Sequence, residues 1–319
     1  MSILRWGIIG TGRIAHTFAS DLALSRGGVV SAVGSRSATT AERFGREFGI
    51  ERCHGSYEAL AADPQVDVVY VATPHPMHRA NALVALEHGK PVLVEKSFTM
   101  DADEARDVVT SARSRGLFAM EAMWTRFLPH VVAIRALLAE GALGEVVTFE
   151  ADHGKWFERD PGSRLFAPEL GGSALLDLGV YPVSFASMIL GTPDRVVAMV
   201  DPAFSGVDAQ TSMLFGYANG AQAVLSCTSS ARTPTRASIS GTDARIEIIG
   251  DFYSPTSFNL VGRDGSCQRF EFDTKGRGLH YQVDEVARCL AQGLTESPVM
   301  PLDETISIMA TMDQVRLFR

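Results

Sequence analysis

Short runs rich in β-branched residues alternate with segments of helical spacing over the first 120 residues, and this alternation restricts the fold more than any other feature. The predicted strands are Leu4–Ile9, Val29–Val33, Val66–Ala72, Val92–Glu95 and Leu117–Glu121. The segments of helical spacing are Ile14–Leu24, Ala38–Phe48, Met77–Glu87 and Asp101–Arg115. Strands that are apolar on both faces and alternate with amphipathic helices predict a parallel sheet covered on both sides. Because crossover connections are right-handed, a doubly wound sheet is the economical arrangement.

From Val146 onward the pattern changes to successive strands with few helices between them. These strands are Val146–His153, Val196–Val200, Thr211–Tyr217, Ala221–Thr228, Arg245–Ile249, Phe258–Val261 and Cys267–Phe272. Asn219-Gly220 and Asp264-Gly265 are typical of hairpin turns between such runs. Helices are predicted over Val131–Leu138, Tyr281–Gln292 and Asp303–Leu317. The chain is therefore predicted to have an α/β domain over residues 1–121 and an α+β domain with a large, mostly antiparallel sheet over residues 122–319.

Composition and charge exclude several classes of function. The formal net charge is −8 with both signs interspersed, which argues against nucleic-acid or anionic-membrane partners. No apolar stretch is expected to approach the roughly 18 residues that cross a bilayer, and the N-terminus lacks a signal-peptide pattern. The four cysteines are far apart without a CxxC pair, so reduced thiols in a cytoplasmic protein are expected rather than disulfides or a zinc site.

A glycine-rich string follows the first strand and opens the first helix. It reads Gly10-Thr11-Gly12-Arg13-Ile14, followed by Ala15. The first glycine permits a tight turn, the second lets the backbone approach a pyrophosphate, and the small Ala15 allows close packing of helix on strand. The helix N-terminus then offers N–H groups and partial positive charge. In this βαβ context the string predicts a Rossmann domain that binds a dinucleotide.

The end of the second strand indicates which dinucleotide is bound. NAD sites usually place a carboxylate there for the ribose 2′-hydroxyl, whereas an arginine accommodates the 2′-phosphate of NADP. This strand ends in Ser35-Arg36-Ser37 without an acidic residue. Arg36 can form charge-assisted hydrogen bonds to a phosphate, and the two serines add hydroxyl donors. NADP(H) is therefore predicted, the alternative being a solvated arginine on a surface loop.

Further candidates follow other strands, because ligands of open α/β sheets bind outside the carboxyl ends of the strands. Thr73, Pro74, His75 and His78 follow the run Val69–Ala72 and are predicted to lie beside the cofactor. The two histidines have a spacing that suits metal ligands. However, prolines stiffen the turn and no third ligand is near in sequence, so no metal is predicted.

Glu95 and Lys96 end the fourth predicted strand. A lysine at a strand end that faces the cofactor is a candidate for proton transfer or electrostatic support. The alternative for Lys96 is a surface salt bridge to Glu95 or to a helix residue. Both residues are placed among the candidate cofactor contacts.

A long segment without periodicity, Gly154–Gly172, leads into an apolar stretch that carries Asp177 and Tyr181. Structureless segments of this length inside a compact domain are usually functional or disordered. A buried carboxylate and phenol need partners, so the apolar stretch is predicted to form the wall of a site. In a helix the two residues share a face, but Pro182 disfavours helix at Tyr181. A core tyrosine that bonds a backbone carbonyl is the alternative.

These strings together resemble the glucose–fructose oxidoreductase/inositol dehydrogenase (Gfo/Idh/MocA) family over nearly the whole chain. The matching segments are Gly10–Ala15, Ala72–Pro74 with His78, Glu95-Lys96, and Gly171–Tyr181. Glu121–Pro129 also resembles the Glu-Ala-x-Trp-x-Arg-Phe-x-Pro string of the branch with dimeric dihydrodiol dehydrogenases and NADP-linked xylose dehydrogenases. The resemblance implies a Rossmann domain, a C-terminal mixed sheet, and NADP-linked oxidation or reduction of a sugar or vicinal diol.

The resemblance also implies roles for single residues. Lys96 and Tyr181 would be the catalytic pair, with Asp177 as a substrate or orienting contact, and Trp124, Arg126 and Phe127 would lie near the substrate. The family usually has proline after the lysine, often behind a cis bond, where this chain has Ser97. Because a cis bond before a residue other than proline costs about 2.5–4 kcal/mol, the 96–97 peptide is expected to be trans.

The chemistry that these residues permit is alcohol oxidation and its reverse. A tyrosine with a lysine ammonium beside it can act as general base in oxidation and general acid in reduction. Two alternatives stay open: a dinucleotide-dependent glycosidase and a non-catalytic NADP-binding regulatory protein. Because strands such as Ser212–Tyr217 and Ala223–Cys227 are apolar on both sides, a homodimer or higher homo-oligomer through the C-terminal sheet is also predicted.

Overall fold

A computed structural model describes residues 3–318, and a parallel six-stranded sheet organises its N-terminal part. The strands are β1 (Leu4–Ile9), β2 (Gly28–Gly34), β3 (Arg52–His54), β4 (Val68–Val71), β5 (Val92–Glu95) and β6 (Ala119–Ala122). The helices are α1 (Arg13–Leu22), α2 (Ala38–Phe48), α3 (Tyr57–Ala61), α4 (His78–Glu87) and α5 (Ala102–Arg115). The strand order 3-2-1-4-5-6 is the doubly wound arrangement that the sequence predicts.

The C-terminal part is built on an eight-stranded sheet. Its elements, in chain order, are α6 (Pro129–Ala139), β7 (Val146–Gly154), α7 (Val180–Leu190), β8 (Arg195–Pro202), β9 (Asp208–Gly216), β10 (Gln222–Thr228), β11 (Ala237–Gly241), β12 (Ala244–Ile249), β13 (Ser257–Gly262) and β14 (Cys267–Phe270). The order is 14-13-12-11-7-10-9-8, antiparallel except for the pair β7–β10. The hairpins predicted at Asn219-Gly220 and Asp264-Gly265 join β9 to β10 and β13 to β14. The predicted fold class is confirmed.

The helix α7 and three short elements, β3, α3 and β11, were not predicted. The strand β3 is only three residues long, at the edge of its sheet, and includes Arg52 and His54. The strand β11 reads Ala-Ser-Ile-Ser-Gly, so it is too polar to stand out, although it pairs with both β7 and β12 inside the sheet. Pairing with neighbours determines such strands, because their own composition favours no element.

By its packing, the described chain divides into a unit of residues 3–124 with 275–306 and a second unit of residues 125–274 with 307–318. The two closing helices are α8 (His280–Ala291) and α9 (Leu302–Arg316). The sequence assigned all of residues 122–319 to one domain, whereas residues 275–306 pack within the first unit. The buried Asp21 carboxylate on α1 explains this placement, since it accepts hydrogen bonds from the backbone N–H groups of Arg277 and Leu279, at 3.0 and 2.8 Å.

Helix α7 covers one face of the eight-stranded sheet. Phe185 of α7 stacks on Phe149 of β7, with ring centroids 5.5 Å apart. The opposite face carries a row of paired apolar residues on three strands, Val197, Leu214 and Val224, which are 55%, 42% and 49% exposed. An open trough of about 1200 Å³ runs over this face.

The segment Pro168–Leu190, which includes α7, is the one described helix whose length and composition would suffice to cross a membrane. Its most apolar window is 72% buried inside the structure. The core helix of a globular domain has the same composition, so the segment is weak evidence for a membrane span. By length and composition, the expectation that no apolar stretch approaches this length is therefore wrong for Pro168–Leu190.

Candidate active site

A cavity of about 500 Å³ lies at the carboxyl edge of the parallel sheet, in the first unit. Eight of its lining residues are predicted cofactor contacts: Gly10, Thr11, Gly12, Ser35, Arg36, Ser37, Thr73 and Pro74. Three more were not predicted: Thr40, Tyr57 and Ala72. The other predicted contacts, Arg13, Ile14, His75, His78, Glu95 and Lys96, are not among the residues that line it.

The phosphate loop leaves room for a ligand on one side only. Gly10 has a φ of +104°, and a Cβ at this position would lie 2.8 Å from the carbonyl oxygen of Ala72. A Cβ at Gly12 would meet nothing within 4 Å, so its backbone borders open space. Gly12 is the N-cap of α1, and Arg13 and Ile14 begin the helix, whose first turn has no acidic residue. The unpaired N–H groups of this turn fit a pyrophosphate.

The second strand end combines a cation with a phenol. Arg36 and Tyr57 both line the cavity, together with Ser35, Ser37 and Thr40. Burial raises the pKa of the Tyr57 phenol, whereas the charge and hydrogen bond of Arg36 act in the opposite direction. None of the described residues that line the cavity carries a carboxylate. Ser56 caps α3 by accepting from the Ala59 N–H at 3.1 Å, so it could have indicated the start of this helix, but not that Tyr57 lines the cavity.

His75 and His78 belong to one short turn in the first unit, and both are buried. Their rings meet edge to face with centroids 5.5 Å apart. The His78 ring bonds two backbone carbonyls: Nδ1 lies 2.9 Å from the oxygen of Ser97, and Nε2 lies 2.7 Å from the oxygen of Thr73. His78 therefore connects two strand ends. Within residues 3–318 no group of three or more His, Cys, Asp or Glu side chains is arranged to hold a metal ion.

The peptide bond between Lys96 and Ser97 is cis, so the expectation of a trans bond is wrong. That expectation used the average preference of an open chain. Ser97 is fully buried and its carbonyl accepts from His78, so tertiary contacts determine the isomer. Before it, the buried Glu95 accepts a hydrogen bond from the Tyr70 hydroxyl, and Lys96 follows at the carboxyl end of β5.

In the second unit, Tyr181 lies where a π-helical turn, Leu175–Gly179, continues into α7. The expectation that Pro182 would disfavour helix here is wrong, because the proline sits in the first turn of α7. Proline has no N–H to offer the Leu178 carbonyl four residues earlier. That carbonyl instead accepts from Nδ1 of His153, at 3.1 Å. π-Helical turns are frequent at functional sites.

An aromatic cluster surrounds the Tyr181 ring, which is 7% exposed. The ring centroids of His153 and Tyr253 lie 5.2 and 4.8 Å from that of Tyr181, and these two rings stack at 4.5 Å. The Lys155 Nζ lies 4.9 Å from the Tyr253 ring centroid. Sequence reasoning missed His153 and Tyr253. The alternation of buried and exposed residues along β7 places His153 on the inner face of the strand, and only this pattern could have indicated that the histidine is buried.

Asp177 forms an ion pair with Arg164 of the long segment, with Nη2 and Oδ1 2.9 Å apart. Asp177 lies on the π-helical turn, whereas Arg164 begins a 3₁₀ turn within the otherwise irregular part of residues 154–172. The predicted functional segment therefore has a direct contact with a predicted site residue.

Trp124, Arg126 and Phe127 form one buried 3₁₀ turn. Arg126 donates to the backbone oxygen of Ser184 at 2.8 Å and to its hydroxyl at 3.1 Å. These bonds connect Arg126 to α7 within the second unit. Of the predicted catalytic residues, Lys96 belongs to the first unit, and Asp177 and Tyr181 belong to the second.

Two family models match the chain. One, described as an oxidoreductase family with an NAD-binding Rossmann fold, matches residues 4–123. The other, described as a GFO/IDH/MocA C-terminal domain, matches residues 131–250.

Similar proteins cover nearly the whole chain. Trans-1,2-dihydrobenzene-1,2-diol dehydrogenase of Sus scrofa is 39% identical over 98% of this chain and 96% of its own length. The Homo sapiens protein of that name is 36% identical with the same coverage. A crystal structure of a 3-ketoreductase from Actinomadura kijaniata, with NADP and TDP-benzene, has a TM-score of 0.88 and 27% identity over 99% of this chain and 98% of that one. An aldose–aldose oxidoreductase from Caulobacter crescentus, with a TM-score of 0.91, 23% identity and coverage of 99% and 97%, has the same fold.

Proposed function

The chain belongs to the GFO/IDH/MocA family of oxidoreductases, and we propose that it transfers a hydride between NADP(H) and a CH–OH group of a vicinal diol or sugar. The family assigns the oxidoreductase chemistry and the NAD(P)-binding Rossmann domain. We propose three things beyond the family assignment: a preference for NADP over NAD, the residues that transfer the proton, and the class of substrate.

One observation carries the proposal: the cavity that the phosphate loop opens is lined by Arg36, Tyr57 and hydroxyl donors, with no carboxylate among its described lining residues. An acidic residue would repel a 2′-phosphate, whereas a guanidinium binds it with charge-assisted hydrogen bonds. Gly10, Thr11 and Gly12 would hold the pyrophosphate at the start of α1. The similar 3-ketoreductase was crystallised with NADP, which supports the same choice here.

The protein's own residues supply the proton transfer in this proposal. When bound, the nicotinamide accepts or donates the hydride. Tyr181 would remove the hydroxyl proton during oxidation and return it during reduction. Lys96 would stabilise the phenolate form by its positive charge. His153 and Tyr253 restrict the orientation of the Tyr181 ring through their contacts with it.

The substrate class is proposed from the relatives and from Asp177. The curated relatives act, by their names, on trans-1,2-dihydrobenzene-1,2-diol, a cyclic vicinal diol. A carboxylate can accept hydrogen bonds from substrate hydroxyls, and Arg164 orients that of Asp177 by pairing with Oδ1. Trp124, Arg126 and Phe127 remain proposed substrate contacts.

We also propose a cytoplasmic homodimer whose interface is the open face of the eight-stranded sheet. The row of Val197, Leu214 and Val224 supports this, because a broad exposed apolar patch is typical of an interaction surface. A second copy of the chain could cover the trough along this face.

The test is a screen for NADP⁺ reduction, followed by NADPH absorbance, with trans-dihydrodiols, polyols and aldoses as substrates. We expect turnover with NADP⁺ on at least one vicinal diol or sugar, and much weaker turnover with NAD⁺. Hydrolysis of glycosides without net NADPH formation would indicate a dinucleotide-dependent glycosidase. NADP binding with no turnover on the whole panel would indicate a regulatory protein.

A further inference from the structure

The imidazole of His78 connects the ends of two adjacent parallel strands. It lies in the first unit, at the junction of a short 3₁₀ turn and α4, and is 1% exposed. Nδ1 lies 2.9 Å from the Ser97 oxygen, after β5, and Nε2 lies 2.7 Å from the Thr73 oxygen, after β4. Both distances are in the range of well-formed hydrogen bonds.

The atom nearest each ring nitrogen in these two contacts is a backbone carbonyl oxygen, which can only accept a hydrogen bond. A neutral imidazole has one N–H donor and one acceptor nitrogen, so it can satisfy only one of these carbonyls. The imidazolium has two N–H donors and satisfies both. The geometry at His78 therefore matches the charged ring.

Burial of an imidazolium is costly unless opposite charge offsets it, and two buried glutamates flank the segment that His78 contacts. Glu95 of β5 is buried directly before the Lys96–Ser97 peptide, and Glu121 of β6 accepts from the Phe98 N–H directly after it, at 3.2 Å. The other titratable groups on the packed elements include Lys96, a cation directly before Ser97, and Tyr70 of β4, whose hydroxyl donates to Glu95. They also include His75, whose ring meets His78 edge to face, and Arg79 of α4, which pairs with Asp107 of α5 at the surface.

The two carbonyls belong to segments with different tasks in the proposed reaction. Thr73 lines the cofactor cavity, and its hydroxyl accepts from the Asn81 side chain at 3.1 Å. The Ser97 carbonyl directly follows the cis peptide of Lys96, the proposed electrostatic partner of Tyr181. A clamp on both segments fixes the base of the Lys96 side chain relative to the cofactor cavity.

We propose that His78 is a positioning residue whose doubly protonated ring joins the Thr73 and Ser97 carbonyls and thereby holds Lys96 in place. The positioning role rests on the proposed function, whereas the doubly protonated ring does not. The two parts are therefore measured separately.

The first experiment observes the ring directly in the wild-type protein. The protein is labelled with ¹⁵N at the histidine rings, and one-bond ¹H–¹⁵N correlations are recorded at pH 7.5. His78→Gln and His78→Asn identify the signals of this ring, because they lack them. We expect two correlations from His78, one for each protonated nitrogen. A single correlation, together with a ring nitrogen that has no attached proton, would overturn the doubly protonated ring. This readout stays decisive if the protein has no turnover on any substrate.

The second experiment compares turnover in His78→Gln with that in His88→Gln. Glutamine at position 78 can still donate, but it cannot span both carbonyls. His88 is an exposed histidine at the end of the same helix, bonded to the Val84 carbonyl at 2.9 Å, and serves as the matched control. Displacement of a catalytic group by about 1 Å can cost about 10²-fold in rate.

We expect His78→Gln to lower kcat about 10- to 100-fold, and His88→Gln to leave it within about twofold. Lys96→Met combined with His78→Gln should be little worse than Lys96→Met alone, since both act through the same group. A folded His78→Gln protein with wild-type kcat overturns the positioning role, and so does a fully additive double variant. If wild-type protein has no turnover, the proposed function fails, and the resonance experiment alone decides the state of the ring.

Discussion

Replacement of Arg36 by alanine should convert a preference for NADP into indifference between the two dinucleotides. The guanidinium lines the cavity beside Ser35 and Ser37, where a 2′-phosphate would meet it. A hydrogen bond to a charged group contributes about 1.5–3 kcal/mol, and about 1.4 kcal/mol corresponds to a factor of ten. We therefore expect the Kd for NADP to rise about 10- to 150-fold, while the Kd for NAD, which lacks the phosphate, changes less than about twofold.

The assay is a titration of intrinsic fluorescence with each dinucleotide. Arg43→Ala is the matched control, because it removes the same charge from an exposed position on α2 that does not line the cavity. Tyr57→Phe should raise the Kd for NADP by a smaller factor of about 2–10, because it removes the hydrogen bond between the phenol and Arg36 but leaves the guanidinium in place. Equal loss of NADP and NAD binding in Arg36→Ala, or no loss of either, would refute the reasoning.

Two further predictions concern assembly and acid stability. Light scattering should show that Leu214→Asp converts the dimer to a monomer. The control Val132→Asp, on the exposed side of α6, should remain a dimer. A wild-type protein that is a monomer at micromolar concentration would contradict the proposed interface. The Asp63 carboxyl is buried, and its hydrogen bond with Arg52 lowers its pKa well below the usual value, supported by the Gln65 N–H and by His54. A lowered folded-state pKa contributes stability above about pH 4–5 that is lost as the pH falls. Asp63→Asn should thus have a lower melting temperature than the wild-type protein at pH 7. Between pH 5 and pH 3, its melting temperature should fall less than that of the wild-type protein. An equal fall in both proteins would contradict this role of Asp63.

The parts of the fold that depend on local pattern were predictable from the sequence. The strands β1 and β5 and the helix α2 have the predicted bounds, because each is a clear run of apolar residues or a clear helical face. The phosphate loop was also predictable, because its two glycines have structural reasons. Gly10 has a positive φ, and the backbone of Gly12 borders open space.

The parts that depend on tertiary contacts were not predictable. Tyr57 belongs to a helix of five residues, and His153 becomes part of the site only through its contacts with Leu178 and Tyr181. The cis bond after Lys96 likewise depends on buried surroundings rather than on the residue types. The return of residues 275–306 to the first unit depends on Asp21, whose long-range role no local pattern indicates.

The most direct test of the proposed chemistry is the turnover of Tyr181→Phe on the best diol or sugar, measured beside its affinity for NADP. The proposal predicts that kcat falls about 10²–10⁴-fold while the Kd for NADP stays within about twofold, since the hydroxyl serves proton transfer and not cofactor binding. Lys96→Met should cost a similar factor, and the double variant little more than the worse single one. A Tyr181→Phe protein with near wild-type kcat would contradict the account, because the phenol would then have no part in the reaction.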